Sequence, residues 1–299
     1  MLKNIDFYVV FLSETLTGEQ PTISGILAPK LGKRSVLQFR NPNLQPVLRT
    51  TSMKGLIRHA AEFLIEKVAE NILPQQASQE ETQEGVAVCS YLSISGQPHV
   101  PRCILPASNL DPRVKEKMER LKWILKEENK IIYKNYPCLS CSIFGTTGLK
   151  SLVSISFVKE NQPQIQTSES PVITSITSFY FTHQFIRGGS PLYVDAIKPG
   201  PLYNFLLRIT IKRPKTPHLH VKSDFDPITV ATSVIYLSTL VINSGLFRLG
   251  RFKSRGLGWI QLIPKNTDTL KEILKATSNN LIEAAKKVLE EELKSRLLT

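Results

Sequence analysis

Four cysteines are the residues of this chain best placed to act as a set. Cys138 and Cys141 form a CxxC, a spacing that lets two thiolates bind one ion from a single turn. Cys89 and Cys103 lie upstream with thirteen residues between them, and they would complete a four-cysteine site, with His99 as a substitute ligand. All four fall in or beside residues 73–140. A closed four-ligand zinc site there would be structural, holding a segment folded without a large core. Two other readings stay open: buried unrelated thiols and a redox pair. Without a segment that reads as a secretory signal, a reducing, cytoplasmic compartment is expected, where thiols bind metal or sit buried more often than they pair.

The residues needed for catalysis do not assemble in the same way. The five histidines, His59, His99, His183, His218 and His220, are scattered. His218 and His220 share a face if extended, but KTPHLHVK reads as an exposed linker. HExxH, GxSxG and paired-carboxylate motifs are absent, and no glycine-rich stretch continues into the Gly–Lys–Ser/Thr of a phosphate-binding loop. The expectation is a binding protein, not an enzyme.

The cations point to what is bound. Net charge is +13, and three long stretches, 20–61, 196–223 and 227–267, contain no Asp or Glu. The first carries Arg40, Arg49, Lys54 and Arg58; the last carries Arg248, Arg251, Lys253 and Arg255. Acid-free, cation-bearing segments suit a polyanion. No apolar run is long enough to span a membrane, so no membrane partner is expected.

These residues must be positioned by a folded core, which a 41% hydrophobic chain can supply. Residues 4–13 read as a buried strand, with a short strand near 36–39. A helix follows from the caps Thr50, Thr51 and Ser52 to Pro74, burying Met53, Leu56, Ile57, Ala60, Leu64 and Val68 at three- and four-residue spacing. Lys54 and Arg58 sit on its other side. Residues 73–140 change character, opening with the polar PQQASQEETQEG, and contain an amphipathic helix at 112–128. Strands follow at 151–158, 172–181 and 202–212, an apolar helix at 227–247, a strand at 256–263 and a charged helix at 268–296. This order predicts an α+β, ferredoxin-like (RRM-like) core, residues 1–72 and 141–299, with 73–140 inserted as a zinc-stabilised subdomain.

Two segments resemble the CRISPR-associated RAMP superfamily. RTTSMKGLIRHAAE (49–62) looks like the family's small–Ser–x–Lys–Gly–x–x–Arg start of the first helix. GRFKSRGLGWIQL (250–262) looks like its C-terminal glycine-rich loop running into a strand. Between them, AIKPGPLYNFLLRITI (196–211) is similar to the strand before its second helix. The resemblance is strongest to the repeated backbone subunit of a Cascade-like effector, with the cysteines pointing to type I-D. It implies binding of CRISPR RNA, polymerisation with copies of itself, contact with other effector-complex subunits, and recognition of target nucleic acid through guide pairing in antiviral defence. It also implies a thumb-like hairpin, placed at 179–195, where Arg187 and the aromatics of FYFTHQFIRGGSPLYVD would meet bases. Arg40, Arg49, Ser52, Lys54, Arg58, Arg187, Arg248, Arg251, Lys253 and Arg255 are the expected RNA contacts. Related RNA-cutting subunits keep an Asp before the first helix; here residues 20–61 hold no acid. A repeat-processing endonuclease of the same superfamily, using His59 or His183, stays open as an alternative, as does a zinc-stabilised single-stranded nucleic-acid module outside CRISPR systems.

Overall fold

The computed structural model describes residues 2–15, 35–36, 48–72, 91–92, 100–101, 137–146, 149–158, 173–178, 192–197, 199–250, 253, 256–277 and 280–297. Strand β1 (Leu2–Phe11) alternates strictly: Ile5, Phe7, Val9 and Phe11 are buried while Asn4, Asp6, Tyr8 and Val10 face the other way. One face of the sheet is therefore core and the other is not. Helix α1 (Thr50–Ile72) packs on the core face. Its buried stripe runs through Met53, Leu56, Ile57, Ala60, Ala61, Ile65 and Ala69. Leu64 and Val68, expected in that stripe, lie at its partly buried margin, and small alanines take the centre.

Strand β5 (Val153–Val158), strand β8 (Gly200–Lys212), helix α3 (Pro227–Asn243) and strand β9 (Ile260–Pro264) complete a βαββαβ unit. The sheet order is β5-β8-β1-β9, with every neighbouring pair antiparallel. That order is the ferredoxin-like arrangement expected from the sequence. Asp226 caps α3, its carboxylate accepting from Ile228 N at 3.1 Å, and Pro227 fits the first turn, where its missing N–H costs nothing. Almost every residue of α3 is buried because α1, the sheet and helix α5 (Leu281–Leu297) all pack on it. At the far end Asn243 acts as a surrogate strand. Its side chain donates to Leu262 O at 3.1 Å and accepts from Leu262 N at 2.7 Å, covering part of the β9 edge.

A second sheet joins β2 (Ser35–Val36), β7 (Leu192–Ile197) and β6 (Ile173–Ser178), with β6 and β7 antiparallel. They flank the expected thumb, whose residues 179–191 lie outside the described residues. So do the expected helix at 112–128 and all of 73–136 except two short paired strands, β3 (Tyr91–Leu92) and β4 (Val100–Pro101).

Two sequence expectations are corrected. Residues 268–296 form two helices, α4 (Asp268–Leu274) and α5, because Lys275 takes a left-handed φ of 50° and Asn280 Oδ1 accepts from Thr277 N at 2.8 Å, closing the intervening turn. The stretch read as an exposed linker is exposed from Lys215 to His218 and at Lys222, but it contains a 3₁₀ turn, Pro217–Leu219, and a buried His220 and Val221. His220 Nδ1 donates to Ser142 O at 2.6 Å. Burial lowers its pKa, and the charges of Arg296 and His218 add to that against the opposing hydrogen bond. Arg296 ties this corner together, donating to Glu292 Oε1 at 2.6 Å, Pro137 O at 2.8 Å and His220 O at 2.8 Å. Polar atoms taken from water are thus given partners inside the fold.

Candidate nucleic-acid interface

The start of α1 is built as the sequence suggests, but its cations are used differently. Leu48 is buried, and Arg49 O accepts the first helical bonds from Ser52 N at 3.1 Å and Met53 N at 3.2 Å. A Cβ on Gly55 would meet nothing within 4 Å, so the helix surface there is open. Lys54 Nζ donates to Ser151 Oγ at 3.0 Å, on the segment leading into β5. Partial burial, and then the neighbouring Arg58 charge, lower the Lys54 pKa.

Arg58 is turned inward. Its Nε donates to Glu62 Oε1 at 2.8 Å, Nη1 to Gly145 O at 3.3 Å and Nη2 to Cys141 Sγ at 3.4 Å. Its side chain is only 16% exposed and that of Glu62 11%. Burial would raise the Glu62 pKa, but hydrogen bonds from His59, Arg58 and Ser140, with the Arg58 charge, outweigh it and hold the carboxyl low. Arg58 is a strut between α1 and the short helix α2 (Leu139–Phe144), not a solvated cation. Its neighbour His59 stays exposed, with Nδ1 3.4 Å from Glu62 Oε2.

The same strut reaches the CxxC. Cys138 caps α2, its sulfur accepting from Cys141 N at 3.4 Å, and both thiols are wholly buried. Two cysteines three residues apart at the start of one helix can offer two sulfurs to one ion. Cys89 and Cys103 lie outside the described residues, and among the described residues no group of three His, Cys, Asp or Glu is assembled.

The loop between α3 and β9 is held by backbone contacts that only glycine allows. Gly258 has φ 84°, and a Cβ there would fall 1.9 Å from Leu249 O. Leu249 N donates to Gly258 O at 2.7 Å, and Gly258 N to Glu14 O at 2.8 Å just beyond β1. The Arg248 guanidinium lies over Gly256, with Nη1 3.6 Å from where a Cβ would be. Lys253 is exposed. Among the described residues no carboxylate pairs with Arg248 or Lys253.

That absence is shared, among the described residues, with Lys54, Lys212 and Lys215 of the other acid-free stretches, whereas two arginines of 196–223 are paired. Arg208 makes a two-pronged pair with Asp6 at 2.8 Å for each contact, and Arg213 pairs with Asp226. Some cations of segments empty of acids are therefore paired in space with acids from elsewhere, while Arg248 and Lys253 have no such partner among the described residues. The two cationic motifs also do not share one flank of α1. Phe63 meets Phe247, beside the loop, with ring centroids 5.6 Å apart. Phe63 is nine residues from Lys54, about two and a half turns, and so faces the opposite side of the helix. Arg40, Arg187, Arg251 and Arg255 lie outside the described residues.

Arg248 and Lys253, without carboxylate partners among the described residues, and separately the glycine-opened start of α1, can each hold phosphate groups. The family model of the RAMP superfamily matches residues 32–261. Among solved structures, a chain of a Type IV-B CRISPR complex is similar at 12% identity and a TM-score of 0.44, covering 88% of this chain and 91% of that one. No curated protein matches the chain. Among the described residues, no helix is long and apolar enough to cross a membrane.

Proposed function

This chain belongs to the RAMP superfamily, and from that premise we propose that it binds a CRISPR RNA along its phosphate backbone as a repeated subunit of a Cascade-like antiviral effector. The observation that carries the reading is the loop 248–258, whose Arg248 and Lys253 have no carboxylate partner among the described residues. Phosphate contacts fix position without reading sequence, which suits a subunit that must accept any guide. Arg49, Ser52 and Lys54 would extend the contact along α1, and Arg40, Arg187, Arg251 and Arg255 would add to it. The role is binding without a catalytic step. Copies of the chain, other effector subunits of type I-D kind and a target paired to the guide are the proposed partners. The test is the nucleic acid that co-purifies from cells carrying a CRISPR array: RNA of discrete length bearing repeat sequence supports the reading, and protein free of RNA contradicts it.

Gly55 gives a sharper test. Glycine inside a helix costs about 1 kcal/mol relative to alanine, and the open space at this position leaves no packing reason for it. Gly55→Ala is expected to raise stability by about 0.5–1 kcal/mol in urea unfolding while weakening RNA binding, because the methyl group occupies the path of the approaching backbone. Stability and affinity rising together would remove the helix start from the interface.

Zinc held by Cys138 and Cys141 and completed by Cys89 and Cys103 is proposed as a structural element. It would fasten the 73–140 segment to α1 through Arg58. About one equivalent of zinc per chain is expected in the purified protein, lost in Cys138→Ser. Less than half an equivalent, unchanged by that substitution, contradicts it.

A further inference from the structure

Trp259 is a large apolar side chain left 38% exposed immediately after the glycine-rich loop. Its backbone is fixed on both sides: N–H donates to Ser13 Oγ at 2.9 Å, and the carbonyl accepts from Leu12 N at 2.9 Å and Ser13 N at 3.2 Å. Its ring is fixed as well. Gly245, at φ 81°, lies against the indole so closely that a Cβ would fall 3.1 Å from Nε1 and 3.2 Å from Cε2. Leu12, 38% exposed, and Leu246, 58% exposed, adjoin these anchoring residues in the chain. Arg248 and Trp259 each lie one residue from the Leu249–Gly258 hydrogen bond, so the cation and the aromatic are presented from the same tight junction. A rigid, solvent-facing indole beside uncompensated cations has the composition of a single-strand stacking site: the ring takes a base, the cations take the phosphates next to it. An acidic protein surface would also answer the charge, but it gives no use for an aromatic held in one orientation.

We infer that Trp259 is a base-stacking platform for single-stranded RNA, with Arg248 and Lys253 holding the adjoining phosphates. The inference rests on the RNA-binding reading above but goes beyond backbone contact, because it gives the chain one point that senses whether a base is present.

The test uses the full chain and two probes of equal length, oligouridylate and an abasic ribose-phosphate oligomer, at fixed salt. Wild type is expected to bind the base-bearing probe about tenfold more tightly. Trp259→Leu, which keeps an apolar side chain against Gly245, is expected to lose most of that preference while binding the abasic probe as wild type does. Trp259→Phe should retain most of it. A preference that survives in Trp259→Leu overturns the inference while leaving backbone binding intact. The same holds if affinity for both probes is unchanged and only self-association falls, which would make Trp259 a protein contact. Wild-type protein that binds neither probe overturns both this inference and the RNA-binding reading.

Discussion

Replacing Arg58 with alanine is expected to destabilise the fold by about 3 kcal/mol, seen as a lower urea midpoint, before any effect on RNA is considered. The substitution strands Glu62 in the interior, where Ser140 and His59 alone would meet its carboxylate. It also frees Gly145 O and Cys141 Sγ of their guanidinium donor. Lysine does not rescue the site, because one ammonium cannot reproduce a fork that serves three separate acceptors. Replacing both partners, Arg58→Leu with Glu62→Leu, should recover much of the loss, since a buried pair removed together leaves no orphan charge. The contribution also depends on pH in a defined direction. Glu62 titrates below its ordinary value of 4.5 in the folded chain, so the stabilisation is present above that value and lost as pH falls through the depressed one. Unchanged stability with abolished RNA binding in Arg58→Ala would instead identify a surface grip. Lys54→Ala is the cleaner probe of the helix start, since its one described hydrogen bond is to a serine hydroxyl.

The second large effect is expected from Arg248→Ala combined with Lys253→Ala. Neither side chain has a carboxylate partner among the described residues, so folding stability should stay within about 0.5 kcal/mol of wild type. RNA affinity should fall by about tenfold to a hundredfold at low salt, by the same factor for unrelated sequences. The slope of log affinity against log salt should shallow by roughly 0.7 for each phosphate that is no longer engaged. A loss confined to some sequences would mean base reading, and an unchanged slope would mean that the loop does not touch phosphate.

The aromatic and β-branched run of β1, the helical spacing of α1 and the apolar run of α3 were legible because each element buries one face, or nearly all of its surface, in a single core. From those elements the strand–helix order led to the ferredoxin-like topology. Less could be read where distant segments supply the partner. Arg58 looked like a solvated cation because Gly145 and Cys141 are more than eighty residues away, although Glu62, four residues on, was an available sign of pairing. His220 lay in a polar stretch, and only the packing of Ser142 and Arg296 around it makes it an interior residue. The break between α4 and α5 was signalled by the run Thr277–Ser278–Asn279–Asn280, which the apolar spacing on either side concealed. Trp259 could be read as a strand residue, but its exposure and its fixing against Gly245 follow from a loop that folds back on the end of α3.

The acid-free stretches show the same limit. A segment without Asp or Glu is a statement about the chain, whereas electrostatic compensation is a statement about space. Asp6 and Asp226 reach Arg208 and Arg213 from outside their stretch, and Glu62 reaches Arg58 from the first residue beyond its own. Arg248 and Lys253, in the loop that Gly258 closes against Leu249, have no carboxylate partner among the described residues. The claim that this loop grips a nucleic-acid backbone is tested most directly by measuring the affinity of the wild-type chain for two single-stranded RNAs of equal length and unrelated sequence from low to moderate salt. Two parallel lines of log affinity against log salt, each falling steeply with a slope of about −0.7 per phosphate engaged, are expected. Affinity that is flat with salt, or that differs between the two sequences by orders of magnitude, would contradict it.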